Sequence, residues 1–371
     1  MICSLPSFSA SPESVILANR LREEISQTGR PLPFSRFMER SLYEPNLGYY
    51  ERTPKNIGRT GDFYTSVSVG PLFGDLVAFH IGPYLERLGS SDSVRIVEIG
   101  AHEGRLASDI LHALDRYSGS STLDFRYLII EPSKTRRAWQ ALTLEPFQGR
   151  VEWQESLPDS LHGVILSNEL LDAFPVERWR WSAAQRRWIQ LGVDWDGTSF
   201  HWANLQTQAP AHWDLPDSLT QILPDGFVRE DNPTARRWWN QAAQSLKAGL
   251  LLTCDYGSTP DALLDPYRPQ GSLRGYRRHQ HVESLLETPG DIDLTANVDF
   301  SSLRLVGEHA GLNTVFNDFQ RNFLMTIFAQ TVNKSDLFGP WTAARTKAFQ
   351  TLTHPQHLGH AFRTLIQERR I

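Results

Sequence analysis

Three acidic residues and an asparagine follow an apolar, strand-like run of the sequence. The run ends at Leu166, and Asn168, Glu169, Asp172 and Glu177 come next. In an open α/β sheet, ligands bind beyond the carboxyl ends of the strands, so these residues stand where a substrate would lie. Carboxylates bind a guanidinium through paired hydrogen bonds, which favours an arginine as the group acted on. The alternative is that Glu169 and Asp172 cap the next turn and that Glu177 is a solvated strand residue.

A second candidate site is the turn from Gly100 to Gly104, which follows a β-branched run ending in an acid, Glu98. Glycine lets the backbone approach a ligand closely, and the following helix N-terminus favours negative charge. The glycines are four apart and residue 102 is His, so the turn does not fit the Gly-x-Gly-x-x-Gly pattern of a dinucleotide site. An acid followed by such a turn is closer to the first motif of S-adenosylmethionine (SAM) methyltransferases. An ordinary strand–helix turn without a ligand is the alternative.

The residue after the next strand supports the cofactor interpretation. Glu131, followed by Pro132, stands at the end of the apolar run Tyr127 to Ile130, where its carboxylate can accept hydrogen bonds from both ribose hydroxyls. A third segment, residues 56–66, is rich in glycine, hydroxyl and aromatic residues. It is interpreted as a loop that folds over a cofactor through Gly61, Asp62, Phe63 and Thr65, or as a surface loop anchored by its aromatic residues.

The elements that must position these residues are strands alternating with helices. Alternation of this kind predicts a parallel sheet covered by helices. Between residues 176 and 239 the alternation is interrupted by segments with apolar residues at every second position, and Asp196-Gly197 predicts a hairpin turn. This segment is expected to add antiparallel structure to the sheet. The predicted strands are Val94 to Ile99, Tyr127 to Ile130, Val164 to Ser167 and Gly249 to Asp255, and the predicted helices are Pro12 to Gln27, Phe34 to Leu42, Pro71 to Leu88, Arg105 to Leu114 and Ser133 to Leu144.

Composition narrows the functional classes. The 371 residues carry a formal net charge of −5, so no excess of basic residues is available for nucleic-acid phosphates. The 2 cysteines and the histidines form neither a disulfide framework nor a set with metal-ligand spacing, and no metal is expected. No apolar run is long enough to span a bilayer. Of the 11 tryptophans, ten lie between Trp139 and Trp239, and they form either a docking or dimer surface or the core of the inserted segment.

Taken together, these motifs resemble the MidA family of SAM-dependent methyltransferases. The resemblance runs from about Phe34 to the C-terminal helices, and it is specific because the motifs recur in the same order. One departure falls in the glycine turn, where the family usually has Gly and this chain has His102, a side chain with a Cβ and a potential cation. The motifs are the segments 34–50, 57–66, 73–74, 98–101, 168–175, 255–257 and 293–300.

The resemblance implies a class I methyltransferase fold, which is a doubly wound α/β sheet, with an N-terminal helical cover and an inserted subdomain. It implies SAM as cofactor and an arginine ω-nitrogen of a partner protein as methyl acceptor, in the family's mitochondrial members for assembly of respiratory complex I. By position, Asn168 and Glu169 would line the transfer site, assisted by Asp172 or Glu177. The cofactor would contact Gly61, Asp62, Phe63, Thr65, Glu98, Gly100, Ala101, His102, Glu131, Pro132 and Asn168.

Three divisions of the chain are expected: a cofactor cover over residues 1–90, a methyltransferase core over 91–175 and 240–371, and a Trp-rich insertion over 176–239. A bacterial cytoplasm is the expected location, or the mitochondrial matrix if the chain is eukaryotic. A respiratory-complex subunit as acceptor and a homodimer are left open. Two other functions also remain: an assembly factor that does not turn SAM over, motivated by His102, and a methyltransferase that acts on small molecules.

Overall fold

The contacts within the chain divide it into two compact units. The computed structural model describes residues 9–52, 65–89, 94–117, 124–209, 221–258, 264–277, 280–332, 334–356 and 358–370. The first unit comprises Met1–Thr53, Ala173–Pro233 and Leu263–Ala296, and the second comprises Pro54–Asp172, Thr234–Ala262 and Asn297–Ile371. Each unit is therefore assembled from three separate stretches of sequence.

The helices and strands alternate along much of the chain. The described helices are α1 (Pro12–Thr28), α2 (Phe34–Tyr43), α3 (Leu72–Leu88), α4 (Arg105–Tyr117), α5 (Lys134–Thr143), α6 (Pro233–Ser245), α7 (Phe300–His309), α8 (Gln320–Val332), α9 (Ser335–Phe338), α10 (Ala343–Thr353) and α11 (Leu358–Ala361). The strands are β1 (Leu32–Pro33), β2 (Val94–Ile99), β3 (Arg126–Ile130), β4 (Val151–Gln154), β5 (Leu161–Asn168), β6 (Glu177–Ser182), β7 (Arg187–Trp195), β8 (Phe200–Asn204), β9 (Val228–Asp231), β10 (Leu246–Ser258), β11 (Arg274–Arg277), β12 (Gln280–Val282), β13 (Asp293–Thr295), β14 (Val298–Asp299), β15 (Asn313–Phe319) and β16 (Phe362–Arg369).

The second unit is built on an eight-stranded sheet whose strand order is β15-β16-β10-β5-β2-β3-β4, with β14 paired to β10. Five neighbouring strands of this sheet, in the order β10, β5, β2, β3 and β4, are mutually parallel. Strand β16 is antiparallel to both of its neighbours. Every predicted strand of the core is present within a few residues of its expected bounds. The parallel pairing places the carboxyl ends of β2, β3, β5 and β10 along one edge, where the candidate residues follow.

At the edge of the sheet where the parallel strands begin, the close approach of neighbouring strands depends on glycine. Gly163 of β5 and Gly249 of β10 are register partners, and both have positive φ angles, of 143° and 121°. A Cβ at Gly163 would collide with the Arg95 carbonyl oxygen, and one at Gly249 would collide with the Gly163 carbonyl oxygen. The central strands can therefore start in register only because both residues lack a side chain.

The core of the second unit lies between the sheet and the helices that connect its strands. Helix α3 buries residues along most of its length, because nearly all of its positions are apolar. Helix α4 is amphipathic and buries one stripe that includes Leu106, Ile110 and Leu114. Both helices join one cluster with the strand residues Ile96, Tyr127 and Val164. This packing holds the strand ends at the edge where ligands bind.

The first unit contains helices α1 and α2 and two small sheets. One sheet has the order β1-β7-β6-β9 with β8 paired to β7, and its strand pairs are antiparallel. The antiparallel strands were correctly predicted, but they form a separate sheet and do not extend the parallel one. The physical reason is that both edges of the large sheet are formed by other strands, β4 and β15. The second small sheet has the order β12-β11-β13.

Three of the described tryptophans in the inserted segment are buried together. Trp179, Trp181 and Trp188 are each at most 4% exposed and form a cluster with Phe227. The rings of Trp181 and Trp188 meet edge to face, with centroids 5.4 Å apart. These side chains are therefore the core of the segment, which was one of the two interpretations of the tryptophan cluster.

The contact-based units group the sequence differently from the three predicted divisions. Helices α1 and α2 share a unit with the Trp-rich strands and with residues 263–296, whereas α3 shares a unit with the large sheet. Helix α3 does so because its apolar residues pack in the core of that sheet. The functional roles of the three divisions stay predictions. Within the described part of the chain, no helix is both long enough and apolar enough to cross a membrane.

Candidate functional site

The acid cluster begins where two parallel strands end together. Asn168, the last residue of β5, is the register partner of Cys254 in β10. The next backbone N–H, that of Glu169, donates to the Cys254 carbonyl oxygen at 2.9 Å. Glu169 then turns the chain with a φ of 52°, a left-handed conformation that is uncommon for residues other than glycine. The turn is thus tied to the edge of the sheet at its first residue.

The Glu169 carboxylate is held by two uncharged donors. Its Oε1 accepts a hydrogen bond from the Asn168 side-chain amide at 3.0 Å and another from the Ser66 backbone N–H at 3.2 Å. Desolvation raises the pKa of Glu169 to about 8 in spite of the Asn168 hydrogen bond, which lowers it; the negative charge of Asp255 contributes to the rise. No lysine, arginine or histidine of the described residues forms an ion pair with it. Within the part of the chain that the structure describes, Glu169 is therefore a carboxylate without a countercharge.

Asn168 has one polar atom to spare. Its amide nitrogen serves Glu169, whereas its Oδ1 is buried and accepts no hydrogen bond from the residues that the structure describes. Buried oxygen atoms normally have a donor. An incoming donor group, from a cofactor or from an acceptor, would satisfy this atom.

Asp255 lies beneath the turn and binds its backbone. Its Oδ2 accepts hydrogen bonds from the N–H groups of Leu170 and Leu171, at 3.1 and 2.7 Å. Asp255 is fully buried, and desolvation raises its pKa to about 7. Asp172, predicted to assist catalysis, is 4% exposed, and its backbone also hydrogen-bonds Asp255.

Glu177 and this turn belong to different compact units of the chain. Glu177 is the first residue of β6, pairs with Asp231 of β9 and belongs to the first unit, whereas Glu169 belongs to the second. The assisting role of Glu177 therefore stays a prediction.

The glycine turn has a sharply bent backbone. Gly100, His102 and Gly104 have φ angles of 77°, 46° and 81°. A Cβ on Gly100 would approach Leu170 Cδ1 to 2.8 Å, so this glycine lets the turn pack against the residue that follows Glu169. Ala101, which lies between Gly100 and His102, is buried. The two candidate segments, far apart in sequence, are thus neighbours at the edge of the sheet.

His102 is the potential cation of the turn, but its surroundings favour the neutral ring. Desolvation, together with the nearby charges of Arg136 and Arg105, lowers its pKa to about 4. Its carbonyl oxygen accepts a hydrogen bond from Gln140 Nε2 at 3.0 Å. The histidine therefore takes up the left-handed conformation that the family's glycine would adopt, without adding charge to the turn.

Glu98 points into the protein interior. It is 2% exposed, and its carboxylate accepts a hydrogen bond of 2.6 Å from the Tyr127 hydroxyl. Desolvation raises the pKa of Glu98 to about 7. A direct cofactor contact by Glu98 stays a prediction, and the structure adds Tyr127 as its partner.

Glu131 stands at the carboxyl end of β3, as predicted. Its carboxylate is 2% exposed and accepts hydrogen bonds from the Ser133 N–H at 2.9 Å and from Gln140 Nε2 at 3.2 Å, with an ion pair to Arg136. The same Gln140 nitrogen also reaches the carbonyl of His102. Gln140 thus connects the two predicted cofactor residues. Pro132, the next residue, is exposed.

Only the end of the predicted cofactor loop can be placed. Thr65 is buried, and its N–H and hydroxyl exchange hydrogen bonds with Ser68. Gly61, Asp62 and Phe63 lie outside the described residues. Ser66, the residue after Thr65, is the one that reaches Glu169.

The residues present fit an adenosyl cofactor with a methionine part. The Glu131 carboxylate at the end of β3 has the acceptor chemistry that a ribose diol requires. The orphaned Asn168 oxygen at the end of β5 accepts a donor such as an amino group. Between the two strand ends lies the bent Gly100 turn. No phosphate-binding lysine accompanies this turn, so a nucleotide diphosphate has less support.

Solved structures share this architecture. A Burkholderia thailandensis protein, crystallised with S-adenosyl-homocysteine bound, superimposes with a TM-score of 0.85 and is 30% identical, over 99% of this chain and 95% of that one. A native crystal structure from the same organism gives a TM-score of 0.81 at 29% identity, with the same coverage. The strand order, the glycine turn and this likeness together define a SAM-dependent methyltransferase of class I, and its cofactor is SAM.

Sequence comparisons narrow the class to a family. The chain belongs to the family described as "Putative S-adenosyl-L-methionine-dependent methyltransferase", whose model matches residues 76–316. The predicted resemblance to the MidA family is thereby confirmed. Curated relatives include the mitochondrial protein arginine methyltransferase NDUFAF7 homolog of Drosophila melanogaster, 27% identical over 80% of this chain and 70% of the relative. NDUFAF7 of Rattus norvegicus is 27% identical over 93% of this chain and 83% of the relative.

Sequence reasoning missed four residues of this site. Ser66, Tyr127 and Gln140 act through hydrogen bonds to residues that are distant in the sequence or in a different element, and the sequence does not predict these pairings. Asp255 did carry one, because it stands in the Asp255-Tyr256-Gly257 motif immediately after an apolar strand. Its position at the end of the strand neighbouring β5 would have identified it.

Proposed function

We propose that the protein transfers a methyl group from SAM to an ω-nitrogen of an arginine in a partner protein, and that Glu169 receives the arginine. The observation that carries the proposal is the state of the Glu169 carboxylate. It stands at the ligand edge of the sheet, its hydrogen-bond donors among the described residues are all neutral, and its pKa is raised to about 8.

A guanidinium supplies what this carboxylate lacks. It is positively charged at any physiological pH and offers paired N–H donors, so it can bind a carboxylate through two hydrogen bonds. Binding an opposite charge lowers the pKa of a carboxyl group, so an arginine at this site would ionise Glu169. The name of the curated relatives, protein arginine methyltransferase, supports the same acceptor.

The cofactor would be held by the predicted residues at the strand ends. Glu131 would accept the ribose hydroxyls, the turn of Gly100, Ala101 and His102 would lie against the cofactor, and Asn168 Oδ1 would accept a donor from it. SAM, when bound, supplies an electrophilic methyl group on a positively charged sulfur. The chain's own contribution is to bind and orient the two reactants and to keep them in a site with little water.

With SAM bound, transfer would form a bond from the acceptor nitrogen to the methyl carbon and break the carbon–sulfur bond, whose electron pair would stay on sulfur. The nitrogen loses one proton, which passes to the Glu169 carboxylate and then to water. Glu169 suits this role because the bound arginine would keep its carboxylate ionised, and desolvation already favours uptake of a proton by this group. Asp172 and Glu177 are proposed to assist in orienting the acceptor.

The assembly-factor alternative was motivated by His102. That motivation is weakened because His102 is uncharged and adopts the left-handed backbone that the turn requires. The acceptor is proposed to be a protein that presents an arginine, with a respiratory-complex subunit as one candidate. A homodimer of this chain is proposed separately. The relatives' names support the mitochondrial matrix as the location if the chain is eukaryotic, and a bacterial cytoplasm is proposed otherwise.

The test supplies SAM with a tritium-labelled methyl group to the purified protein and to an extract of cells that lack the gene. Acid hydrolysis of the labelled protein and chromatography should place the label in methylarginine. Glu169→Gln should reduce the initial rate at least about 100-fold. Glu152→Gln, an exposed glutamate of the same unit, is the matched control and should label at the normal rate. Label in another residue or in a small molecule, or an unchanged rate for Glu169→Gln, would overturn the proposal.

A further inference from the structure

Asp255 is a fully buried carboxylate whose hydrogen-bond donors among the described residues are all backbone N–H groups. Its Oδ2 accepts from the N–H groups of Leu170 and Leu171, and its Oδ1 accepts from the N–H of Tyr256 at 2.8 Å. No described arginine, lysine or histidine forms an ion pair with it. A buried charge is costly to maintain, and backbone donors alone compensate it here.

The turn that Asp255 binds is strained. Glu169 adopts a φ of 52°, and a non-glycine residue keeps such a conformation only when its surroundings impose it. Before the turn, the Glu169 N–H is held by the Cys254 carbonyl, and after it the next two N–H groups are held by the Asp255 carboxylate. Two adjacent residues of β10 therefore hold the backbone on both sides of Glu169.

The direction of the Glu169 side chain follows from this backbone. Its carboxylate returns to the Asn168 amide of the preceding residue and to the Ser66 N–H. In a right-handed or extended conformation at residue 169, the side chain would leave in another direction and lose both donors. The two hydrogen bonds from Leu170 and Leu171 keep the residue from relaxing into one of those conformations.

We propose that Asp255 is a positioning residue for methyl transfer: its carboxylate locks the Leu170–Leu171 backbone and so aims Glu169 at the acceptor. The inference rests on the proposed role of Glu169. No smaller or neutral side chain can replace the carboxylate fully. An asparagine has one acceptor oxygen in place of two. Its NH₂ group would take the place of the other carboxylate oxygen and would there face a backbone N–H group, which is also a donor.

Few charged groups of the described residues face Glu169, which makes its titration a usable readout. On β10 these are Asp255 and Cys254. Burial raises the pKa of the Cys254 thiol to about 12, so it stays neutral. The groups from the other elements, Asn168 and Ser66, do not titrate. Removing the Asp255 charge should therefore lower the pKa of Glu169, and a loosened turn should lower it further through better solvation.

The experiment compares Asp255→Asn and Glu169→Gln in the full chain. Asp255→Asn should lower the initial rate of methylarginine formation about 10- to 100-fold. The affinity for S-adenosyl-homocysteine, measured by calorimetry, should change less than about threefold. The acidic limb of the pH–rate profile should move to lower pH, a shift that a merely structural role would not produce.

Two controls separate positioning from stability. Asp299→Asn makes the same substitution in a carboxylate of the same unit that also accepts two backbone N–H groups, those of Ser301 and Ser302, and it should leave rate and pH profile unchanged. Trp239→Phe removes a buried hydrogen bond to Gln367 and should lower stability without moving the profile.

The outcomes distinguish the two proposals. If Glu169→Gln abolishes transfer while Asp255→Asn behaves like Asp299→Asn, the positioning role is wrong and the proposed function stands. If Glu169→Gln has no effect, the proposed function fails. Should Asp255→Asn not fold, hydrogen exchange on the unmodified protein decides: the amides of Leu170 and Leu171 should be protected well above those of an exposed loop, and fast exchange would overturn the inference.

Discussion

The Tyr127 hydroxyl donates a hydrogen bond of 2.6 Å to the Glu98 carboxylate, and neither side chain is exposed by more than 2%. Glu98 lies one residue before the end of β2, and Tyr127 lies in the neighbouring strand, β3. The pair therefore joins the two strands that lead to the Gly100 turn and to Glu131. Glu98, which is predicted to contact the cofactor, is thus part of the interior that supports the predicted cofactor site.

The first prediction concerns the hydrogen bond itself. Tyr127→Phe keeps the ring but leaves the Glu98 carboxyl group buried without its donor, which should lower the free energy of unfolding by about 1–3 kcal/mol. Urea denaturation measures the difference. Tyr117→Phe is the matched control, because Tyr117 is half-buried and its hydroxyl makes no hydrogen bond within the described residues. Equal stability of the two variants would contradict the assignment.

The second prediction is a dependence of stability on pH. The pKa of Glu98 is raised to about 7 in the folded protein, above its ordinary value, so the folded state holds this proton more tightly than the unfolded state does. Stability should accordingly be lost as pH rises between about 4 and 7. In Glu98→Gln, the loss over this window should be smaller by about 3 kcal/mol, an order-of-magnitude figure. Denaturant unfolding at a series of pH values measures both slopes, and Glu152→Gln should keep the slope of the unmodified protein.

The third prediction concerns the pH dependence of methyl transfer. Glu169 acts as a carboxylate in the proposed function, and its pKa in the free protein is raised to about 8. The specificity constant, kcat/KM, should therefore rise about tenfold per pH unit below pH 8 and level off above it. Initial rates between pH 6 and 9.5 measure the profile. The residual activity of Glu169→Gln should lack this limb, and a flat profile for the unmodified protein would argue against an ionised Glu169.

The fourth prediction addresses His102. Because its backbone is left-handed and its ring is neutral, His102→Gly should preserve the turn and change the affinity for S-adenosyl-homocysteine less than about threefold. His102→Val places a β-branched residue in the same conformation and should be less stable than His102→Gly by about 1 kcal/mol or more. Calorimetry and urea denaturation provide the two measurements. A large gain in affinity for His102→Gly would mean that the histidine does impair the cofactor site.

Much of the second unit was predictable because its signals are local. The strands β2, β3, β5 and β10 are runs of β-branched and apolar residues, and the helices between them show helical periodicity. The carboxyl ends of parallel strands share one edge, so Glu131 and Glu169 were expected there before any coordinates. The organisation of the first unit was not predictable, because it joins three stretches of sequence that are distant from one another.

By itself, the sequence determined four parallel strands of the large sheet and the helices beside them, the glycine turn, the acids that follow the strands, and the family. The tertiary structure alone decided which of these acids are buried and what they bind. Glu98 meets a tyrosine 29 residues away, Glu169 a backbone N–H 103 residues away, and Asp255 the N–H of Leu171 84 residues away. Such pairings depend on how strands are ordered in a sheet, and burial then sets the charge of each group through desolvation. The local periodicity of the sequence carries no information on the order of strands in a sheet or on the burial of a particular acid.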